Sequence, residues 1–245
     1  MRFVSWNCCE GFARDLVHLR ELGCDVAVLA EVPRVVPASR SLFDAAIDWQ
    51  WAGYFEGKGL AVAGFGSTVT PLDARADAGT HCLAAETEFG FGVLGIWSCP
   101  PKGSTYGAQV RSAIAAHADW LADGPAIVAG DFNLQPDGLE DKRTGVLRAV
   151  FADMADLGYV SAYHHVTGDE YGAETTPTYF HQRKQAAPFH IDFCFVHRDL
   201  LPRITALQVG SFDHYVAPQG TLTGLSDHVP LIVDLDCHTA GRHRQ

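Results

Sequence analysis

Ala126-Ile127-Val128-Ala129-Gly130-Asp131-Phe132-Asn133 decides how this chain folds. The first four residues are apolar and make a short buried strand, which Gly130-Asp131 closes with a polar group. In an extended backbone Asp131 and Asn133, two apart, point the same way. Two readings of the pair stand open. One is a carboxylate that activates water, beside an amide that holds a phosphate oxygen. The other is an ordinary turn, since Asp and Asn are common turn residues.

Outward from this segment, a strand ending in a polar group recurs. Residues 2–7 read as a strand ending in Trp6-Asn7. Phe12, Leu16, Leu19 and Leu22 repeat at helical spacing, with Gly23 as the stop. Residues 25–30 form an apolar strand that delivers Glu31. Strands are expected at 49–55 and 59–65, and a hairpin over 82–97 turning at Gly90. Helices are expected from Thr105 to Leu121 and from Thr144 to Leu157. Further strands fall near 175–181, 190–196, 203–211 and 229–235. Hairpins mixed with helical crossovers predict an α/β (α+β) fold: two sheets packed together, with helices outside. One domain over 1–236 is expected, followed by a mobile tail over 237–245.

Composition narrows the function. The chain has 245 residues, 47% of them hydrophobic, enough for one large core. Its net charge of −11 argues against a broad phosphate track, which needs clustered Lys and Arg. A small phosphorylated substrate, or a nucleic acid gripped locally, remains compatible. The seven cysteines are odd in number and include no C-x-x-C pair, so buried thiols are expected rather than a zinc site or disulfide framework. The first residues read as a strand rather than a signal peptide, and no apolar run is long enough for a membrane span. These features suggest a soluble cytoplasmic protein, taken as a monomer.

Several other residues carry chemistry. Glu31 is either an exposed strand-end carboxylate or a hard-oxygen ligand for Mg²⁺. Asp227-His228 is either a polar loop or a carboxylate beside a proton-moving histidine. Asp192 interrupts the apolar run 191–196, where a carboxylate is costly unless paired. A bond to His228 would satisfy it and orient the ring. Pooled at strand ends, this inventory holds carboxylates, amides and a histidine, but no thiol or hydroxyl nucleophile. It suits a hard divalent cation and water acting on a phosphate ester.

Together, Trp6-Asn7, Glu31, Gly130-Asp131-Phe132-Asn133, His190-Ile191-Asp192 and Leu225-Ser226-Asp227-His228-Val229-Pro230 resemble the motifs of the endonuclease/exonuclease/phosphatase superfamily. The resemblance runs from residue 2 to about 235. Each motif is weak alone; their order and spacing are specific. The resemblance implies a four-layer sandwich of two mixed sheets between helices. It implies that Glu31 and Asn7 hold Mg²⁺ or Mn²⁺, with Asp227 completing the metal shell. Asp131 would align and deprotonate water, Asn133 would steady the phosphoryl oxygens, and His228, oriented by Asp192, would stabilise developing charge.

The sequence departs from that pattern before Pro100-Pro101. The family often places a His or Tyr there to reach the phosphate, whereas this chain is expected to offer Trp97, which cannot transfer a proton. A proton for the leaving group would then come from metal-held water, from His190 or from another group. The chain also lacks basic insertions that would wrap duplex DNA. Its most basic stretch near the site, 176–184, offers His181, Arg183 and Lys184 as phosphate contacts or as a solvated hairpin tip. Lys58 has the same two readings, and Trp97 could wall a base or simply pack in the core. The leading expectation is a metal-dependent phosphodiesterase, a nuclease of short footprint. The runner-up is a phosphatase or phosphodiesterase acting on a nucleotide, sugar phosphate or lipid headgroup. A binding module on a decayed scaffold is the third reading, disfavoured because Glu31, Asp131, Asn133, Asp192 and His228 are all present.

Overall fold

The computed structural model describes residues 1–34, 47–77, 80–100, 102–218 and 225–237; the expected tail from 238 and Pro101 lie outside them. The elements in chain order begin with β1 (Arg2–Asn7), α1 (Phe12–Glu21), β2 (Val26–Val32), β3 (Ile47–Phe55), β4 (Lys58–Phe65), β5 (Val69–Asp77), β6 (Thr80–Thr87) and β7 (Gly92–Ser98). They continue with α2 (Tyr106–Ala116), α3 (Ala118–Asp123), β8 (Ala126–Asp131), α4 (Leu139–Thr144), α5 (Val146–Asp156), β9 (Tyr159–Ser161) and α6 (Ala162–Thr167). Last come β10 (Tyr179–Phe180), β11 (Pro188–Phe189), β12 (Asp192–His197), β13 (Ile204–Val209) and β14 (Leu231–Leu235).

The strands form two six-stranded sheets, ordered β13-β14-β1-β2-β4-β3 and β5-β6-β7-β8-β12-β9, beside a two-stranded β10-β11 ribbon. Both sheets are mixed. In the first, β1 runs parallel to β2, joined through α1; in the second, β7 runs parallel to β8, joined through α2 and α3. A parallel pair needs such a crossover, and the helix it brings covers the outer face of the sheet.

Strand alternation explains the apolar runs. Val26, Val28 and Ala30 of β2 meet Ile127 and Ala129 of β8 in the core between the sheets. Their neighbours Ala27 and Leu29 face outward against Leu16 and Leu19 of α1. Val128, Phe193 and Phe195 pack on the opposite side against Val110 of α2 and Val150 of α5. Strands buried on both faces read as continuous hydrophobic sequence rather than alternation.

Several boundaries differ from expectation. The helix expected over 105–121 breaks at His117 into α2 and α3, and Thr105 caps α2 by accepting from the Ala108 amide. The helix expected from Thr144 becomes α4 and α5, meeting at Gly145 in a left-handed turn. The segment 175–181 is extended only at Tyr179–Phe180, because its backbone bonds go to flanking loops. Strand β5 was not expected; its register shifts between Pro71 and Asp73, as befits an edge strand that can tolerate proline. Cys237, expected to begin the tail, packs against the core between the sheets.

Candidate active site

The parallel pairs place four strand ends at one edge of the sandwich. Asn7 ends β1 and Glu31 lies near the end of β2; facing them, Trp97 and Asp131 are register partners on β7 and β8. Asp192 opens β12 directly across from Asp131. Contacts between the sheets close the cluster. Asn7 donates through Nδ2 to Asp131 Oδ2 at 2.9 Å. His228 Nδ1 donates to Asp192 Oδ2 at 2.9 Å. The other ring nitrogen, Nε2, stands 4.0 Å from Asp131 Oδ2.

Local backbone geometry aims these groups. Glu31 sits at a register shift between Ala30 and Val32, with φ of 58°. The bulge turns its carboxylate out of the strand alternation. Cys9 (45°), Glu10 (59°) and Asn133 (54°) also have positive φ. Non-glycine residues in that region cost roughly 1–3 kcal/mol each and concentrate at functional sites. Gly130, at φ +143°, is required for a different reason: a Cβ there would meet the Ile96 carbonyl oxygen at 1.9 Å.

Asp131 is almost fully buried. It accepts from the Asn133 amide and from Nδ2 of Asn7 and of Asn133. Burial nevertheless raises its pKa to about 7, against the lowering influence of His228. Burial disfavours the charged His228 ring, but Asp192 and then Asp131 overcome this and raise its pKa to about 9. Asp192 Oδ1 is buried without a hydrogen-bond partner. Asp131, Asp192 and His228 offer ligand atoms within 4.8 Å of one another. A ring that keeps its proton at neutral pH is a poor metal ligand, so the trio is better suited to proton and charge handling.

Hard oxygens lie alongside. Glu31 Oε2 is 2.9 Å from Lys58 Nζ, and Glu10 Oε1 is 3.1 Å from the same ammonium. Burial pulls the Lys58 pKa down, but Glu31 and Glu10 outweigh it and the value is raised. Asn7 Oδ1 accepts from the Cys9 amide, which fixes the amide's orientation. Asp227 is close enough to raise the Cys9 thiol, whose pKa burial and then Asp227 push to about 11. Carboxylates and an amide oxygen of this kind fit a hard divalent cation.

Other expected site residues stand elsewhere. Trp97 is 5% exposed, stacks on His81 at 4.7 Å and belongs to the core between the sheets, so it forms a floor rather than a substrate wall. His190, expected near the phosphate, is 2% exposed and turned against Tyr163 and Phe193, with Nδ1 donating to the Thr176 carbonyl. Its ring thus packs among aromatic neighbours. Arg183 donates to the Ser226 carbonyl at 2.7 Å and so braces the loop before Asp227. Asn133 uses Nδ2 for both Ser98 O and Asp131 Oδ2, so it orients Asp131 more directly than it offers itself to a phosphate.

His181 lines a cavity of about 280 Å³ beside the cluster, together with Tyr106, Asn133, Leu139, Tyr179 and Phe189. Sequence reasoning missed Tyr106 and Tyr179. Tyr179 packs its ring 4.6 Å from that of His228. The Tyr106 phenol, its pKa raised by burial and then by Asp131, lines the same cavity. The only signal for Tyr106 was its place just after the Thr105 helix cap. Tyr179 lies inside the basic stretch 176–184, where its neighbours His181, Arg183 and Lys184 drew the reading instead.

A two-sheet sandwich with acid, amide and imidazole groups pooled at one edge defines a class of divalent-metal-dependent phosphoesterases. The chain belongs to the Endonuclease/Exonuclease/phosphatase family, which matches residues 4–228. It is a hydrolase of phosphoesters. Among solved structures it is similar to a 3'-5' exonuclease (NExo) from Neisseria meningitidis, with a TM-score of 0.70 and 18% identity over 96% of this chain and 100% of that one. An AP endonuclease from Archaeoglobus fulgidus gives a TM-score of 0.69 and 17% identity over 96% and 99%. A 3' phosphatase form of the Neisseria protein bound to a product DNA hairpin gives 0.70 and 19% over 96% and 99%. No curated protein matches the chain.

Proposed function

We propose that this chain is a Mg²⁺- or Mn²⁺-dependent nuclease that acts at the end of a nucleic-acid strand, within one domain over 1–236. The observation that carries the reading is the bonded set Asn7–Asp131 and Asp192–His228, built across the two sheets. Glu31, Asn7 and Asp227 would hold the metal, whose chemistry when bound is to polarise the phosphoryl oxygens and favour attack by water. Asp131 takes the proton of that water. Burial holds its carboxyl above the ordinary carboxylate range, in the direction a general base near neutral pH requires. His228 carries positive charge toward the phosphoryl group, and Asp192 keeps Nε2 facing the site. Tyr106, which lines the cavity, is the candidate proton donor to the leaving oxygen in place of His190.

The aromatic lining of the cavity supports a terminal base or sugar as its occupant. The DNA-directed names of the similar structures support a nucleic acid. The acidic net charge favours the second reading, a small phosphoester, and limits either substrate to a short footprint. Among the described residues no helix is long and apolar enough to cross a membrane. We also propose that the chain works as a monomer in the cytoplasm, whose reducing conditions suit its seven thiols.

The deciding experiment is a hydrolysis screen with Mg²⁺ and Mn²⁺ over single-stranded DNA, duplex DNA, RNA and small phosphoesters, with Asp131→Asn as control. Release of mononucleotides or of phosphate from strand ends is expected. Activity on none of these substrates, or equal activity in Asp131→Asn, would overturn the proposal.

A further inference from the structure

The Lys58 ammonium occupies an unusual position. It sits 2.9 Å from Glu31 Oε2, 3.1 Å from Glu10 Oε1 and 5.6 Å from the centroid of the Trp97 ring. A carboxylate on the first sheet, a second from the loop after β1 and an aromatic face from the opposite sheet thus hold one cation between them. Trp97 attracts positive charge through its π face. The turn at Glu56-Gly57 delivers Lys58 as the first residue of β4, and Gly59 next to it has no room for a Cβ against the Trp51 ring. The lysine backbone is therefore fixed, while its flexible side chain can swing.

We infer that Lys58 is a tethered counter-ion that competes with the divalent metal for Glu31 and, once displaced, becomes a ligand for the substrate phosphate. This rests on the reading of Glu31 as a metal ligand. A divalent cation and an ammonium cannot both sit on one carboxylate oxygen without strong mutual repulsion. Two outcomes follow for the empty and loaded protein. Without metal, Lys58 neutralises Glu31 and Glu10 and keeps a cluster of like charges from repelling. With metal, Nζ leaves Glu31 and faces the cleft beside Asp131, where a phosphate supplies the negative charge it has lost. Lys58 thereby couples metal binding to substrate binding: metal frees the lysine, and phosphate stabilises the freed lysine. An arginine would serve less well, since its planar fork would grip the carboxylate in two places and release it reluctantly.

The test combines metal titration with chemical labelling. Mn²⁺ is titrated calorimetrically into the wild type, Lys58→Met, Lys58→Arg and Glu31→Gln. Lys58→Met should bind Mn²⁺ roughly 3–10-fold more tightly when no phosphate is present, and Lys58→Arg no more tightly than the wild type. With Mn²⁺ bound, Lys58→Met should bind inorganic phosphate several-fold more weakly. Independently, acetylation of Lys58 in the wild type, followed by mass spectrometry, should speed up several-fold on adding Mg²⁺ and slow again on adding phosphate. Lys102 and Lys142 serve as internal controls. This labelling needs no variant, so a misfolded Lys58→Met would not block it. Unchanged Mn²⁺ affinity in Lys58→Met, or metal-independent acetylation of Lys58, would overturn the competition. If Glu31→Gln also left Mn²⁺ binding unchanged, the metal site itself would be wrong; if it lost binding, only the role of Lys58 would fall.

Discussion

At the scale of single residues, Asp131 and His228 hold their protons more tightly in the folded chain than free side chains do. The sign of the consequence is the same for both. His228 contributes stability in full below about 6.5 and loses it as pH rises through about 9. Asp131 contributes in full below about 3.8 and loses its share as pH rises through about 7. The metal-free protein should therefore melt at falling temperature as pH rises toward 9, with the upper part of the loss belonging to His228. His228→Gln should flatten the melting curve between about pH 7 and 9, removing a dependence on the order of 2 kcal/mol. An equally steep dependence in that variant would show that His228 is not the group titrating. Asp192→Asn should leave the fold intact and slow hydrolysis by roughly 10–100-fold, as expected when the partner that orients a functional histidine is changed.

At the scale of elements, the loop entering β12 depends on one hydroxyl. Thr178 is fully buried, and its Oγ1 accepts from the amides of both Ile191 and Asp192 at 3.0 Å. That pair of bonds sets where Asp192 begins and so where His228 is held. Thr178→Val keeps the shape but strands both amides, at a cost of about 1–3 kcal/mol each. Urea denaturation should show a loss of at least about 2 kcal/mol, with Thr178→Ser recovering most of it. Equal stability of Val and Thr at 178 would mean that the amides find other partners. This dependence explains why the segment 175–181 misled. Its Thr, Tyr and Phe have strand character, but their bonds go to the short β11 and to the loop 227–229 rather than to either large sheet. Strands β1, β2, β8 and β12 were legible because each is an apolar run stopped by a polar residue. The break at His117 was not legible, because Ala115, Ala116, Ala118 and Trp120 continue a helical composition straight through it.

At the scale of the whole molecule, the fold could be read from the order of short motifs, while the site could be read only in part. Asn7, Glu31 and Asp131 announced themselves as polar groups where apolar strands stop, Asp192 as a carboxylate inside an apolar run, and His228 as an imidazole beside Asp227 ahead of the last strand. Tyr106, Tyr179 and Glu10 did not, since they join the site through sheet packing and loop strain that leave no local pattern. The same scale governs the substrate. The chain carries 18 Lys and Arg against 29 Asp and Glu. Among its basic groups near the site, Arg183 is held by backbone carbonyls, and Lys58, held by Glu31 and Glu10 without metal, adds only one cation once metal frees it. Few cations remain to follow a phosphate backbone. Binding to duplex DNA releases counter-ions with a logarithmic slope of about −0.9 per phosphate neutralised, and about −0.7 for single strands. With Ca²⁺ in place of the catalytic metal, a salt titration of this protein on a short duplex should give a slope no steeper than about −3. The affinity should also stay the same when the duplex is lengthened away from the bound end. A slope near −6 or steeper, or affinity that grows with duplex length, would require a broad basic track and would replace the end-directed reading with an enzyme that grips DNA along its length.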